Sequence, residues 1–446
     1  MIFKFIFVFL VFVGAWSPAV TRADYSPLTI QESVRQALSK NPDVLKAKEA
    51  VQASSAGISL AFSKVLPAVN GQLQASHLKA ASSSGSPLFG GNPYNQYDAT
   101  LSLNQPLYDG AIFAGYTFSK KDELIKGYQL EIAERTLSES VLESFYTVLL
   151  NERLKRILIE TLKVDNETLA IAERYLKIGR AQKIDVLQLK TQAALLTPKI
   201  AQADDQMRTA AAQLATLLRD LDSNSIHLSG ALVSPGGEWV KQMVAKRKAE
   251  LPELLAARET VNQFESNRDV QMAVFWPKLG MVGQMQRSAY TRPDLLDSNS
   301  TSWSLALQLN VPIFSGLSSF HQRDVLASQE KQLELDETKT ADTVSVSQLQ
   351  TERDLDVALS QLESSRLAAT YGRESLQEAQ RAYRLQTINY LQYQSSQQAF
   401  LDSETGYFQA KYNYIVAVSK YFNAIGVPSE FLVTKLEELS KLGISE

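Results

Sequence analysis

The chain has 446 residues, with 45 lysines and arginines against 48 aspartates and glutamates, three histidines and a formal net charge of −3. That mildly acidic balance offers no basic footprint for nucleic acid. The sequence contains no cysteine, which excludes disulfides, thiolate metal sites and a lipid-modified cysteine.

The N-terminus carries Lys4, an apolar run from Phe5 to Ala15 and then SPAVTRA. That layout predicts a secretory signal peptide over residues 1–23, cleaved after Ala23. The run is too short to span a bilayer as a helix, and no later stretch reaches about 18 apolar residues. A mature chain that enters a membrane must do so as strands. Export without cysteine points to a bacterial periplasmic or outer-membrane protein.

From Thr29 to about Lys64 the chain is rich in Ala, Leu, Glu, Lys and Gln and reads as helix. After Pro67 the pattern changes to alternation, with Val69, Gly71, Leu73 and Ala75 against Asn70, Gln72, Gln74 and Ser76. ASSSGSPLFGGNP, from Ala81 to Pro93, is loop chemistry. Alternation then resumes, with Tyr97, Ala99, Leu101 and Leu103 against Asp98, Thr100, Ser102 and Asn104. Strands of about nine to eleven residues, apolar on one face and small-polar on the other, suit a membrane barrel. They equally suit an antiparallel sheet packed on a soluble core.

Beyond Gly110 no proline occurs from about Ala114 to Lys177, and Leu137, Val141, Phe145, Val148, Leu154 and Leu158 recur at helical spacing. Sixty-odd residues at about 1.5 Å each predict a helix on the order of 95 Å, with coiled-coil seams. RYLKIGRAQKIDVL, from Arg174 to Leu187, is its far turn.

The second half repeats this plan. Pro42 and Pro67 recur as Pro252 and Pro277, each 210 residues on; LNQPLYDG (Leu103–Gly110) recurs as LNVPIFSG (Leu309–Gly316), 206 on. RYLKIGRAQKIDVL recurs as AYRLQTINYLQY, Ala382 to Tyr393. The expected organisation is a first repeat at 24–221 with a strand pair at about 67–106, and an inter-repeat segment at 222–239. A second repeat follows at 240–425 with a strand pair at about 277–312, then a tail at 426–446. Trp303, Leu305, Leu307 and Leu309 carry the second alternation, and Leu355, Leu359 and Leu362 the second seam.

Proline stops both a helix and a strand ladder. Pro67 and Pro277 are therefore expected where helix gives way to strand, and Pro106 and Pro312 where strand gives way to helix. Tyr108 and Phe314 would mark the membrane boundary, and Gly110 and Gly316 the sharp re-entry. Four strands cannot close a barrel, and an open edge is not viable in lipid. Two chains are the minimum; three would give twelve strands.

The signal peptide, the duplicated helix–strand–strand–helix plan, the two N-x-P-[LI]-[YF]-x-G corners and the Y-x-x-x-G-x-x-x-x-x-D-V-L turn resemble the TolC family of outer-membrane efflux proteins. The resemblance implies long all-α coiled-coil hairpins plus a membrane β-barrel. It implies a homotrimer in the bacterial outer membrane, with a twelve-stranded barrel continued by an α-helical periplasmic tunnel. A periplasmic adaptor, an inner-membrane transporter and outer-membrane lipid are the implied partners, and the implied function is an exit duct for drugs, toxins or secreted proteins. From a different class, a pore-less periplasmic or surface coiled-coil scaffold would explain the helices alone.

Carried over by residue, the family's periplasmic gate falls on Asp185 and Tyr383, with Gln392 and Ser395 where relatives hold an acidic ring. Gly179, Arg180, Gln386 and Ile388 fall on the tip that contacts the adaptor; Ile388 stands where an arginine is usual and Gln386 where a glycine is. Asp185 would also suit a plain cap for the helix that follows it. Catalysis finds no support. His77, His227 and His321 have no ligand spacing, no phosphate loop occurs, and neither cofactor nor metal is expected. Asn166 and Asn299 open chance N-x-[ST] triplets.

Overall fold

The computed structural model describes residues 27–79, 93–219, 228–233, 235–245, 247, 250–291 and 301–441. The expected signal peptide, nearly all of the loop from Ala81, His227, Asn299 and part of the inter-repeat segment lie outside the described residues.

The helix expected from Thr29 to Lys64 is two helices, α1 (Ile30–Lys40) and α2 (Pro42–Ser63). Pro42 has no amide hydrogen to continue α1 and pushes the residue before it into an extended conformation. Asn41 is that residue. It ends α1 and caps α2, its side chain accepting from the Asp43 amide at 2.9 Å.

β1 (Ala68–Leu78) and β2 (Tyr94–Tyr108) follow, then α3 (Gly110–Lys177) and α4 (Lys183–Leu218). The inter-repeat region contributes α5 (Gly237–Val244). The plan then recurs as α6 (Pro252–Met272), β3 (Lys278–Ala289), β4 (Thr301–Asn310), α7 (Ser318–Arg384) and α8 (Tyr390–Ala424), closed by α9 (Ser429–Lys441). With 68 and 67 residues, α3 and α7 are each about 100 Å long. α4 and α8 cover only their far halves. Nearer the sheet, α2 and α6 take over, tied by the pairs Lys48–Glu134, Lys121–Glu259 and Arg268–Glu330.

All four strands form one antiparallel sheet in the order β1-β2-β3-β4, so β2 and β3 join the repeats and β1 and β4 are its edges. The main core lies midway along the helices, where Val141, Phe145, Tyr146, Leu214, Tyr414 and Phe422 are buried and α1 and α9 pack against α3. Each such large side chain contributes roughly 1.5–3 kcal/mol by leaving water.

The corners are less symmetric than their sequences. Pro106 lies inside β2 opposite Gly280, not beyond its end, and the register shifts between Pro106 and Tyr108. A bulge there accommodates the missing amide hydrogen. Pro312 follows the end of β4 at Asn310. Gly110 is the first residue of α3 and is needed for close approach: a Cβ there would stand 2.5 Å from the Trp276 ring. Of the two corner glycines only Gly316 has a left-handed backbone, with φ +63, and Leu317 follows at φ 61.

Candidate functional site

The candidate residues fall in two regions, at opposite ends of the long helices. The first is the sheet. Its register sets Val69, Leu103, Gly283 and Leu305 in one row and Gly71, Leu101, Met285 and Trp303 in the next, all on one face. On the other face, Asn70, Ser102, Gln284 and Ser304 form a row, as do Gln72, Thr100, Gln286 and Ser302. Leu73 is 82% exposed and Leu307 71% exposed. Among the described residues no core covers this face, so the alternative of a sheet packed on a soluble core has nothing to pack against. A solvent-facing row of that size is a surface made for lipid. Among the described residues the outer edges of β1 and β4 have no strand partner.

The second region is the pair of hairpin tips. Gly179, with φ +74, closes α3 by letting Arg180 donate its amide to the Tyr175 carbonyl at 2.8 Å. Gln386 takes the same left-handed backbone, φ 62, where glycine would be unstrained. Its side chain reaches across, Nε2 donating to the Arg180 carbonyl at 2.8 Å, and the Tyr175 hydroxyl donates to the Arg384 carbonyl at 2.9 Å. The two tips are thus joined within one chain. Asn389 starts α8 through a capping box with Gln392, the amide of each donating to the side chain of the other at 2.9 and 3.2 Å. Gln392 and Ser395 are exposed.

Behind the tips lies a small apolar cluster of Ala172, Val186, Leu189, Leu376, Ala379, Tyr383, Tyr390 and Tyr393, with Ile388 packed against it. Ile388 is half-buried and packs its apolar side chain over this cluster. Tyr383 stacks on Tyr393 with ring centroids 5.3 Å apart. No hydrogen bond joins Tyr383 to Asp185, although the Asp185 charge, after burial, helps raise the Tyr383 phenol above its ordinary value. Asp185 lies in the first turn of α4, where the helix dipole favours a carboxylate, but the cap position itself is Gln182.

Sequence reading missed the polar seam of this cluster. Asp165 is fully buried on α3 and accepts a hydrogen bond from Gln397 of α8, itself 2% exposed. Thr168 and the Tyr393 hydroxyl pair at 3.4 Å across the same seam. Asp165 Oδ2 and the Tyr390 hydroxyl are buried without a partner. Burial pushes the Asp165 carboxyl up to about 6, against the opposing bond from Gln397. Burial likewise pushes the Tyr390 and Tyr393 phenols up to about 12. A signal for this seam was present: buried Thr161, Asp165, Thr168 and Ala172 follow 4-3-4 spacing. Further along, Glu404 of α8 is buried between Arg373 of α7 at 2.9 Å and Arg153 of α3 at 4.0 Å.

Among the described residues there is no cluster able to hold a metal ion, and no helix is long and apolar enough to cross a membrane. A one-sided sheet running directly into helices about 100 Å long is the architecture of an outer-membrane channel. The family model described as outer membrane efflux protein matches residues 33–218 and 244–427, one stretch in each repeat, and the chain belongs to that family.

Relatives agree. The chain is 24% identical over 229 residues to the alkaline protease secretion protein AprF of Pseudomonas aeruginosa, covering 50% of this chain and 47% of that protein. It is 24% identical over 290 residues to the solvent efflux pump outer membrane protein SrpC of Pseudomonas putida, covering 63% of this chain and 60% of that one. The match thus spans about half the length of these relatives. In fold it is similar to the CmeC outer membrane channel of Campylobacter jejuni, with a TM-score of 0.78 at 18% identity over 92% of this chain and 89% of the other. The outer membrane protein VceC of Vibrio cholerae gives 0.75 at 14% identity, over 89% and 96%.

Proposed function

We propose that the chain is the exit duct of a tripartite export system, a homotrimer passing drugs, toxins or proteins across the outer membrane. One observation carries this reading: a four-stranded sheet, apolar outside and polar inside, has two unpaired edges and continues directly into the long helices. Three copies supply twelve strands, the edge of β1 in one meeting β4 in the next, and closure removes every edge from lipid. The helices then continue the barrel as a periplasmic tube.

In this reading the tips form the periplasmic entrance. Gly179, Arg180 and Gln386 are exposed there and face the periplasmic adaptor, with the inner-membrane transporter beyond it. Tyr383, Asp185, Gln392 and Ser395 line the gate. With the half-buried Ile388 packed against the tyrosines, closure rests on ring packing and the tip hydrogen bonds rather than on ion pairs.

Ion conductance of the purified protein in a planar bilayer tests the duct. Stepwise ohmic conductance is expected, and a folded, inserted protein that conducts nothing overturns the reading. Gln392→Asp tests the gate, since three carboxylates about one axis would create a block by multivalent cations.

A further inference from the structure

We propose that the outer end of the apolar sheet face binds a phosphorylated, multi-acyl lipid, with Arg287 taking the phosphate and the dent over Gly71 and Ala99 taking an acyl chain. The proposal rests on the barrel reading and adds a specific ligand to it. Strand alternation puts Arg287 on the same face as Leu279, Met281, Gly283 and Met285, in one row with Leu73, Ala99 and Thr301. Among the described residues of the four strands it is the only lysine or arginine on that face.

Its depth is informative. Leu279 pairs with Leu309 at the inner end of the sheet, and Arg287 is 287 − 279 = 8 residues further out. At about 3.4 Å per residue and a tilt of about 40°, that is roughly 21 Å across an apolar band about 25 Å tall. The Arg287 backbone therefore lies about 4 Å below the outer rim of that band, and its long side chain can carry the guanidinium to the headgroups. Nε donates to Thr301 Oγ1 at 2.7 Å, which orients the planar fork. Among the described residues no carboxylate pairs with Arg287, so the Nη atoms are available to a phosphate, the anion that fork matches best.

Beside it the surface is hollow. Gly71, Leu73, Ala99, Leu101, Met285 and Arg287 line a depression of about 390 Å³. Gly71 and Ala99 form its floor, and a Cβ on Gly71 would meet nothing within 4 Å. The depression spans β1 to β3 of a single chain, and its β1 side borders the edge where the next copy joins. An apolar slot with a cation at its headgroup end that has no carboxylate partner among the described residues is complementary to a lipid that is both acylated and phosphorylated.

Native mass spectrometry of the purified full-length protein tests this, titrated with diphosphorylated lipid A and with the same lipid stripped of phosphate. Wild type should prefer the phosphorylated lipid by about tenfold or more, the scale of one charge-assisted contact. Arg287→Gln should abolish the preference and Arg287→Lys keep part of it. Gly71→Leu fills the dent and should weaken both lipids. Inorganic phosphate alone should not displace the lipid; displacement would mark a simple anion site and overturn the assignment. Equal binding of the two lipids by wild type, or an unchanged preference in Arg287→Gln, would overturn it as well. Bilayer conductance of the same samples should stay at the wild-type level, so failure of the barrel would read as lost conductance, separate from lost lipid preference.

Discussion

LNQPLYDG and LNVPIFSG are nearly the same corner in sequence and quite different in structure. The first is packed and paired. Asp109 caps α3, accepting from the Ala111 amide at 2.9 Å, and pairs with Lys278 at 3.1 Å. Gly110 abuts Trp276, and Gln105 donates to the Val65 carbonyl at 2.7 Å. The second is bare. Ile313 is 96% exposed and Phe314 80%, and α7 begins without a side-chain cap. The difference follows from topology: the first corner leaves an interior strand, the second an edge strand. Among the described residues nothing covers the second corner, which is left to lipid or to a neighbouring copy.

The largest effect that would sharpen this contrast is on assembly. Ile313→Asp with Phe314→Asp removes no contact within the chain, so helicity and thermal stability of the single chain should change by no more than about 0.5 kcal/mol. Assembly and insertion, read by detergent-resistant oligomer on gels and by outer-membrane yield, should fall several-fold, because the exposed apolar pair that lipid or a neighbouring copy would cover is replaced by two charges. Normal oligomer yield would break the contrast.

The repeats differ again near their tips, where the first carries buried Asp165. Its carboxyl is raised from 3.8 to about 6, so the fold binds a proton that the unfolded chain has already released. This group therefore favours the packed state below about pH 4, and that contribution is lost as pH rises through about 6. Over that window the cost is at most ~3 kcal/mol. Asp165→Asn should stabilise the tip at pH 7.5 and flatten stability between pH 4 and 7, measured by thermal unfolding and by exchange of the amides around 161–172. A variant with wild-type pH dependence would contradict this.

Smaller effects belong to the corner glycines. Gly110→Leu drives a side chain into Trp276 and should cost ~1–3 kcal/mol by overpacking. Gly316→Ala meets open space and should cost only about 1 kcal/mol, from its left-handed backbone. Denaturant unfolding of the two variants ranks them; equal losses would mean that the corners are equivalent after all.

Much of this was legible in the sequence. Period-2 alternation marked the faces of β1, β2 and β4 and more weakly that of β3, proline-free stretches marked α3 and α7, and the near-constant offset of the prolines marked the duplication. The contrast between corners was not legible, because Trp276 and Lys278 come from the other repeat and meet only one of them. Pro42 showed in the sequence, but its break between α1 and α2 was hidden by strong helix formers on both sides. The tip was half legible. Gly179 announced its turn, whereas Gln386 adopts the same backbone for the sake of a bond to Arg180 that no local pattern shows. Asp165 escaped because the seam was followed through apolar residues alone.

The central claim is that this sheet closes only with other copies of itself. Within one chain β1 and β4 are three strand spacings apart, about 14 Å, too far for a disulfide, whose Cβ atoms stand about 3.8 Å apart. The chain has no cysteine of its own, so introduced pairs report cleanly. Cysteines placed in turn at Asn70, Gln72 or Gln74 of β1, each combined with one at Ser302, Ser304 or Ala306 of β4, should include a register that oxidises in membranes to covalent dimers and trimers. If every combination gives only monomer while the protein remains folded in the outer membrane, β1 does not pair with β4 of a neighbour, and the shared barrel is wrong.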